Sequence, residues 1–364
     1  MNISKTQTFI FILISALFLN ACGLTPIKKE ATRKKVHTKE RPSLEEVSDA
    51  KPSKERIIRK AKEAIKQAEV ASGSKLIFSS NRSGNLEIWI SDLNGEKEIQ
   101  LTADDQYESN WPRVSPDKSK VLFYRAPKGA KENTYDQYSL WQLSLDDHSV
   151  RELIPQGSYG WSTQGVADWS PDGSKIIMAA AKGKGRWHLY VTNSEGKNPK
   201  QISKRESLYL DPSWSPDGSK IVFSAFPEGY TGTKLNRLEI FIADANGENE
   251  ERLTFNKLRD HDAYWSPNGQ WVAYETEIQP LYWLLGKWAL RITDVTNAKT
   301  TEILNDGHVN TLPRWSADSK QLYFHRLRFR EDKKFGIWRV DVDGSNLTNI
   351  IGSDRYKTIQ ADIF

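Results

Sequence analysis

The chain contains a single cysteine, Cys22, among 364 residues, so no disulfide can form within it whatever the compartment. Long apolar runs are also missing. The one stretch that stands out, Phe9 to Leu19 behind Lys5, is too short to span a bilayer as a helix. No serine-hydrolase elbow is present: Gly160-Trp161-Ser162-Thr163-Gln164 lacks the final glycine that such a turn requires. No separate hydrolase domain is expected either. The six histidines show no metal-diagnostic spacing. A basic domain is lacking too, despite a net charge of +5. Residues 23–72 carry fourteen Lys/Arg against eight Asp/Glu, which leaves the remainder slightly acidic once Lys5 is set aside. High pI therefore describes one segment, and nucleic acid is not an expected partner.

What is present begins at the N-terminus. Leu19-Asn20-Ala21-Cys22 resembles the lipobox of a bacterial lipoprotein signal peptide. That resemblance implies removal of residues 1–21 and acylation of Cys22, with enough lipid chains for stable anchoring. Gly23 rather than Asp follows the cysteine, which by resemblance to enterobacterial sorting implies the outer membrane, facing the periplasm. Residues 22–72 have no aromatic residue after the cysteine and too little apolar surface to fold alone. Within them, Pro52 and Ser53 start a helical pattern whose apolar positions are Ile57, Ile58, Ala61, Ile65 and Ala68, and Gly73 would stop it. The expectation is a basic tether carrying a solvated helix over 53–71.

From residue 73 onward the sequence repeats with a period of about 50 residues. Trp169-Ser170-Pro171-Asp172-Gly173-Ser174-Lys175 recurs as Trp214-Ser215-Pro216-Asp217-Gly218-Ser219-Lys220. Looser copies are Trp265-Ser266-Pro267-Asn268-Gly269, Trp315-Ser316-Ala317-Asp318-Ser319 and Val114-Ser115-Pro116-Asp117. Six tight turns punctuate the later part of each unit, among them Asn94-Gly95, Asn246-Gly247 and Asp343-Gly344, which supply the positive φ that hairpins need. Five signature turns against six later turns leave one unit split. Ala361-Asp362-Ile363-Phe364 stops where Ala167-Asp168-Trp169 would reach its tryptophan, and Ser74-Lys75-Leu76-Ile77-Phe78 resumes after the turn. The expectation is an all-β, closed ring of six four-stranded blades over 73–364, with Ile359–Phe364 pairing beside Leu76–Ser79. Such closure removes the last open edge.

This pattern resembles the WD40-like (PD40) repeat of TolB-type six-bladed propellers, over about four-fifths of the chain. The resemblance implies a protein-binding platform in the bacterial cell envelope, acting as a monomer and without catalytic residues. It departs from TolB itself at the N-terminus, where a tether and lipobox stand in place of a folded α/β domain. The segment by which TolB engages TolA thus has no counterpart.

Strand order puts the formulaic turns on one face and the long individual loops, 126–137, 226–236, 275–288 and 325–335, on the other. Binding concentrates in such loops. The loops between second and third strands are rich in Lys and Arg, including Lys128, Lys182, Lys234, Arg237, Arg326, Arg328, Arg330, Lys333 and Lys334. A basic rim suits an envelope protein or an acidic glycan. Tyr282 and Trp283 form an apolar loop tip that either anchors a partner or folds over a neighbouring blade as core. A weaker reading gathers His261, Asp262 and His308, with Asp306 and His325 nearby, as a divalent-cation site at the channel mouth. Oligogalacturonate lyases, similar to this repeat family, place metal-binding histidines there. The alternative function is accordingly a metal-assisted lyase or hydrolase acting on acidic glycans; no other cofactor is expected.

Overall fold

A computed structural model describes residues 73–130, 134–183, 186–280, 286–328, 331–352 and 355–364. Cys22, the tether, its helix, Tyr282, Trp283 and Arg330 lie outside the described residues. Among the described residues, twenty-four strands form six antiparallel sheets of four, the blades of a propeller numbered here in chain order. The innermost strands of blades 2 to 6 are Tyr107–Val114, Trp161–Trp169, Tyr209–Trp214, Arg259–Trp265 and Val309–Trp315.

Blade 1 takes its innermost strand from the far end of the chain. Thr358–Ile363 pairs with Lys75–Ser80 in the register Leu76 to Ile363, Ile77 to Asp362 and Ser79 to Ile359. Backbone bonds between Lys75 and Phe364, 2.8 and 3.1 Å, finish the ladder where the other blades have their signature turn. The expected closure is thus observed, one residue longer at its start.

Each second strand is packed between neighbouring blades and reads as a nearly continuous apolar run, as strands covered on both faces do. Leu76, Ile77 and Phe78 in blade 1 and Leu322, Tyr323 and Phe324 in blade 6 are buried. Apolar clusters therefore cross from blade to blade: Ile177, Ala179 and Leu189 of blade 3 pack with Tyr209, Trp214 and Phe223 of blade 4. The signature tryptophans add a polar tie. Trp169 Nε1 donates to the Arg113 carbonyl of the preceding blade at 3.3 Å, and Trp315 Nε1 to that of Tyr264 at 3.0 Å.

The Ser-Pro-Asp turn explains its own sequence. Ser170 Oγ donates to Asp172 Oδ1 at 2.6 Å and accepts from the Lys175 amide at 2.9 Å, while Asp172 also accepts from the Ser174 amide at 3.0 Å. The residue after the aspartate is left-handed, φ +69° at Gly173. Lys118 and Ser319 occupy that conformation at φ 60° in blades 2 and 6, where the repeat lacks glycine.

Candidate functional site: the channel mouth

A bulge interrupts every innermost strand three residues before its signature position. Trp111, Val166, Asp211, Asp262, Leu312 and Gln360 all have φ between 46° and 59°, and strand register shifts beside each bulge. A bulge re-aims the side chains that follow it. Two residues further on stand Arg113, Asp168, Ser213, Tyr264, Arg314 and Asp362, one per blade. Contacts between distant blades show that part of this ring meets at the axis. Arg113 of blade 2 reaches the Tyr264 hydroxyl of blade 5, and the Arg314 guanidinium of blade 6 lies 3.3 Å from the centre of the same tyrosine ring. Burial pushes the Asp168 carboxyl up to about 6, against the opposing pull of Arg113.

Nearer the long-loop face, a second group forms around His261. Its Nε2 lies 2.8 Å from Asp211 Oδ2 of blade 4; its Nδ1 lies 2.7 Å from Asp262 Oδ2 and 3.5 Å from Glu275 Oε1. Potential ligand atoms of Asp211, His261 and Asp262 fall within 4.8 Å of one another. Glu275 Oε2 accepts the Leu312 amide at 2.6 Å, which ties the group to blade 6. Burial alone would depress the imidazolium, but Asp211 and Asp262 outweigh it and hold His261 well above its ordinary value. Burial, reinforced by Asp262, raises both Asp211 and Glu275.

The sequence-derived group comes together only in part. His261 and Asp262 are adjacent in the cluster, but His308 is not one of its members among the described residues. Asp306 instead pairs with Arg326 at 2.7 Å. His325 is buried in a blade seam, where its ring accepts the Ala361 amide at 2.9 Å. Asp211 and Glu275 stand beside His261 instead. Asp211 carried a readable signal, since it stands three residues before Trp214 just as Asp262 stands three before Trp265.

The basic rim is also redistributed. Arg326 is buried at 3 % exposure, hydrogen-bonded to Asn310 and lying against the Trp338 ring, so it is an internal cation and not a rim residue. The second strand of blade 6 runs on to Leu327 and carries it inward. Arg328 is half-buried and held by Glu331 and Asp332 at 2.7 and 2.8 Å. Lys333 and Lys334 are exposed, as are Lys128, Lys182, Lys234 and Arg237 on other blades.

Residues 158–279 match the family described as the TolB beta propeller domain. A TolB homolog of Chlorobaculum tepidum is 26% identical over 135 residues, covering 36% of this chain. The matched part spans about a quarter of that relative's length, 27%. The TolB structure from Acinetobacter baumannii superposes with a TM-score of 0.61 at 15% identity, over 82% of this chain and 69% of that one. The domain is a TolB-like six-bladed propeller. Other propellers share its fold alone: the nidogen/laminin complex, with TM-score 0.60 and 10% identity over 80% of this chain and 98% of that one, and an oligogalacturonate lyase in complex with manganese, at 0.52 and 14% over 76% and 74%. In this TolB-like propeller the candidate functional features are the buried His261 group and the exposed lysines of the long loops.

Proposed function

We propose that this chain is a lipid-anchored envelope protein whose TolB-like propeller binds a protein partner on the long-loop face. The observation that carries the reading is the set of exposed cations on that face. Lys128, Lys182, Lys234, Arg237, Lys333 and Lys334 are all exposed between the second and third strands of their blades or at the ends of those strands. Exposed cations on a rigid scaffold steer an acidic surface toward the long-loop face. Similarity to TolB favours an envelope protein partner over a substrate, and the lipobox supplies the anchor through Cys22.

The test combines partner capture with kinetics. Native envelope cross-linked to the full chain yields candidates, and surface-immobilised binding then measures each one. Reversal of Lys182, Lys234, Lys333 and Lys334 to Glu should slow association at least tenfold and flatten its salt dependence, with dissociation little changed. A partner indifferent to that reversal, but lost when Asp172 and Asp217 on the opposite face are changed, places the site elsewhere. The competing glycan-lyase reading is favoured instead if the same purified chain releases unsaturated sugars from polygalacturonate.

A further inference from the structure

We propose that His261, Asp262 and Glu275, with Asp211 behind them, form a binding site for one divalent first-row transition-metal ion at the channel mouth. This goes beyond the partner-binding function and stands or falls separately from it.

Three carboxylates crowd one imidazole in a place water barely reaches. Side-chain exposure is 15% for His261, 7% for Asp211 and 6% for both Asp262 and Glu275. Burying that much negative charge is costly unless a cation compensates it. A protonated His261 donating to a carboxylate at each nitrogen would be one solution, and it demands aligned hydrogen bonds. Alignment is missing at Nδ1. That nitrogen and Asp262 Oδ1 are both buried without a hydrogen-bond partner, although Asp262 Oδ2 lies 2.7 Å from the nitrogen. Close but misdirected contacts, gathered in one buried spot, are those expected of ligands arranged around an ion.

The donors sort themselves into two shells. On the Nδ1 edge, Asp262 Oδ2 and Glu275 Oε1 lie 2.7 and 3.5 Å from the nitrogen. Those spacings bracket the roughly 3 Å that separates neighbouring ligands when each bond is about 2.1 Å long. Leu312 holds the other oxygen of Glu275, leaving Oε1 for the ion. Asp211 sits at Nε2 on the far edge of the ring, the position from which an outer carboxylate orients a ligating histidine. One imidazole with two carboxylates suits manganese, iron or zinc; calcium and magnesium prefer oxygen alone. The manganese-bound lyase shares only the fold with this chain, and the site argued here rests on this chain's own side chains.

The test uses the full chain, stripped with chelator and titrated calorimetrically with MnCl2 and with ZnSO4. One ion per chain is expected, with affinity reduced at least tenfold in Asp262→Asn and in Glu275→Gln and unchanged in His308→Ala. Electron-spin-echo spectra of the manganese-loaded parent should show coupling to one imidazole nitrogen, a readout that holds even where a variant fails to fold. Absence of binding at millimolar metal overturns the proposal. So does an oxygen-only spectrum, or equal binding by folded Asp262→Asn and Glu275→Gln.

Discussion

The hydroxyl of Tyr264 accepts two hydrogen bonds from the Arg113 guanidinium, 3.2 Å from Nε and 2.8 Å from Nη2, linking blade 5 to blade 2 through the middle of the ring. The two blades share no sheet and lie three apart in order. Both side chains are buried. Tyr264→Phe should therefore leave two buried guanidinium N–H groups without their acceptor and lower unfolding free energy by about 2 kcal/mol. Urea denaturation measures it, and a clearly smaller loss when Arg113 is already Met would show that the pair acts together.

Deleting residues 359–364 should abolish cooperative melting, because the second strand of blade 1 would lose its inner partner along with the Lys75–Phe364 bonds. Circular dichroism during heating is the measurement. A truncated chain that melts like the parent would mean that the ring holds without its closing strand.

Two glycines with the same backbone conformation should respond differently to alanine. Gly129 has φ +79° with nothing within 4 Å of an added Cβ, so strain alone should cost roughly 1–2 kcal/mol. Gly247 has φ +83°, and a Cβ there would overlap the Ile202 carbonyl oxygen of the preceding blade. Gly247→Ala should cost about 3–5 kcal/mol. Equal losses in the two denaturation curves would refute the close approach between blades.

Glu87 and Glu239 occupy matching places in blades 1 and 4, accepting from Thr102 and from Thr254 respectively. Burial pushes both carboxyls up to about 7 despite those hydrogen bonds. Each binds its proton more tightly folded than unfolded. The stability they contribute is complete below the ordinary glutamate range and is lost as pH rises through about 7. The Glu87→Gln, Glu239→Gln double variant should therefore show a flatter decline of unfolding free energy between pH 4.5 and 7.5 than the parent. An unchanged slope would mean that neither group titrates in this window.

Cys22→Ser should leave an unprocessed precursor, since lipidation precedes cleavage at a lipobox. Intact-mass measurement decides it: an unmodified mature terminus elsewhere in the chain removes the anchor.

The ring was legible in the sequence because five blades spell their own signature turn, and because Asp362-Ile363-Phe364 and Ser74-Lys75-Leu76 supply the halves of the sixth repeat. Convergence at the axis was harder to read. Arg113, Tyr264 and Arg314 lie far apart in sequence and occupy one repeat position with different residues, so only the closed ring brings them together. Loop charge misled for a local reason. Arg326 follows His325 in what reads as the start of a basic loop, yet the strand continues for two more residues and turns it toward Asn310 and Asp306. The His261 group was half visible. His261 and Asp262 stood out by residue type, and Asp211 could have been read from its spacing to Trp214, whereas Glu275 needed the pairing of the neighbouring strand to place it beside His261.

The closure of blade 1 also has a mechanical side. Lys75–Ser80 is flanked by a strand on each edge, Thr358–Ile363 inside and Glu87–Asp92 outside. A pull applied at Ser74 along that strand is therefore borne by two ladders at once, loaded in shear and not opened one bond at a time. Tension arriving from the N-terminal side would meet the ring at a doubly riveted seam.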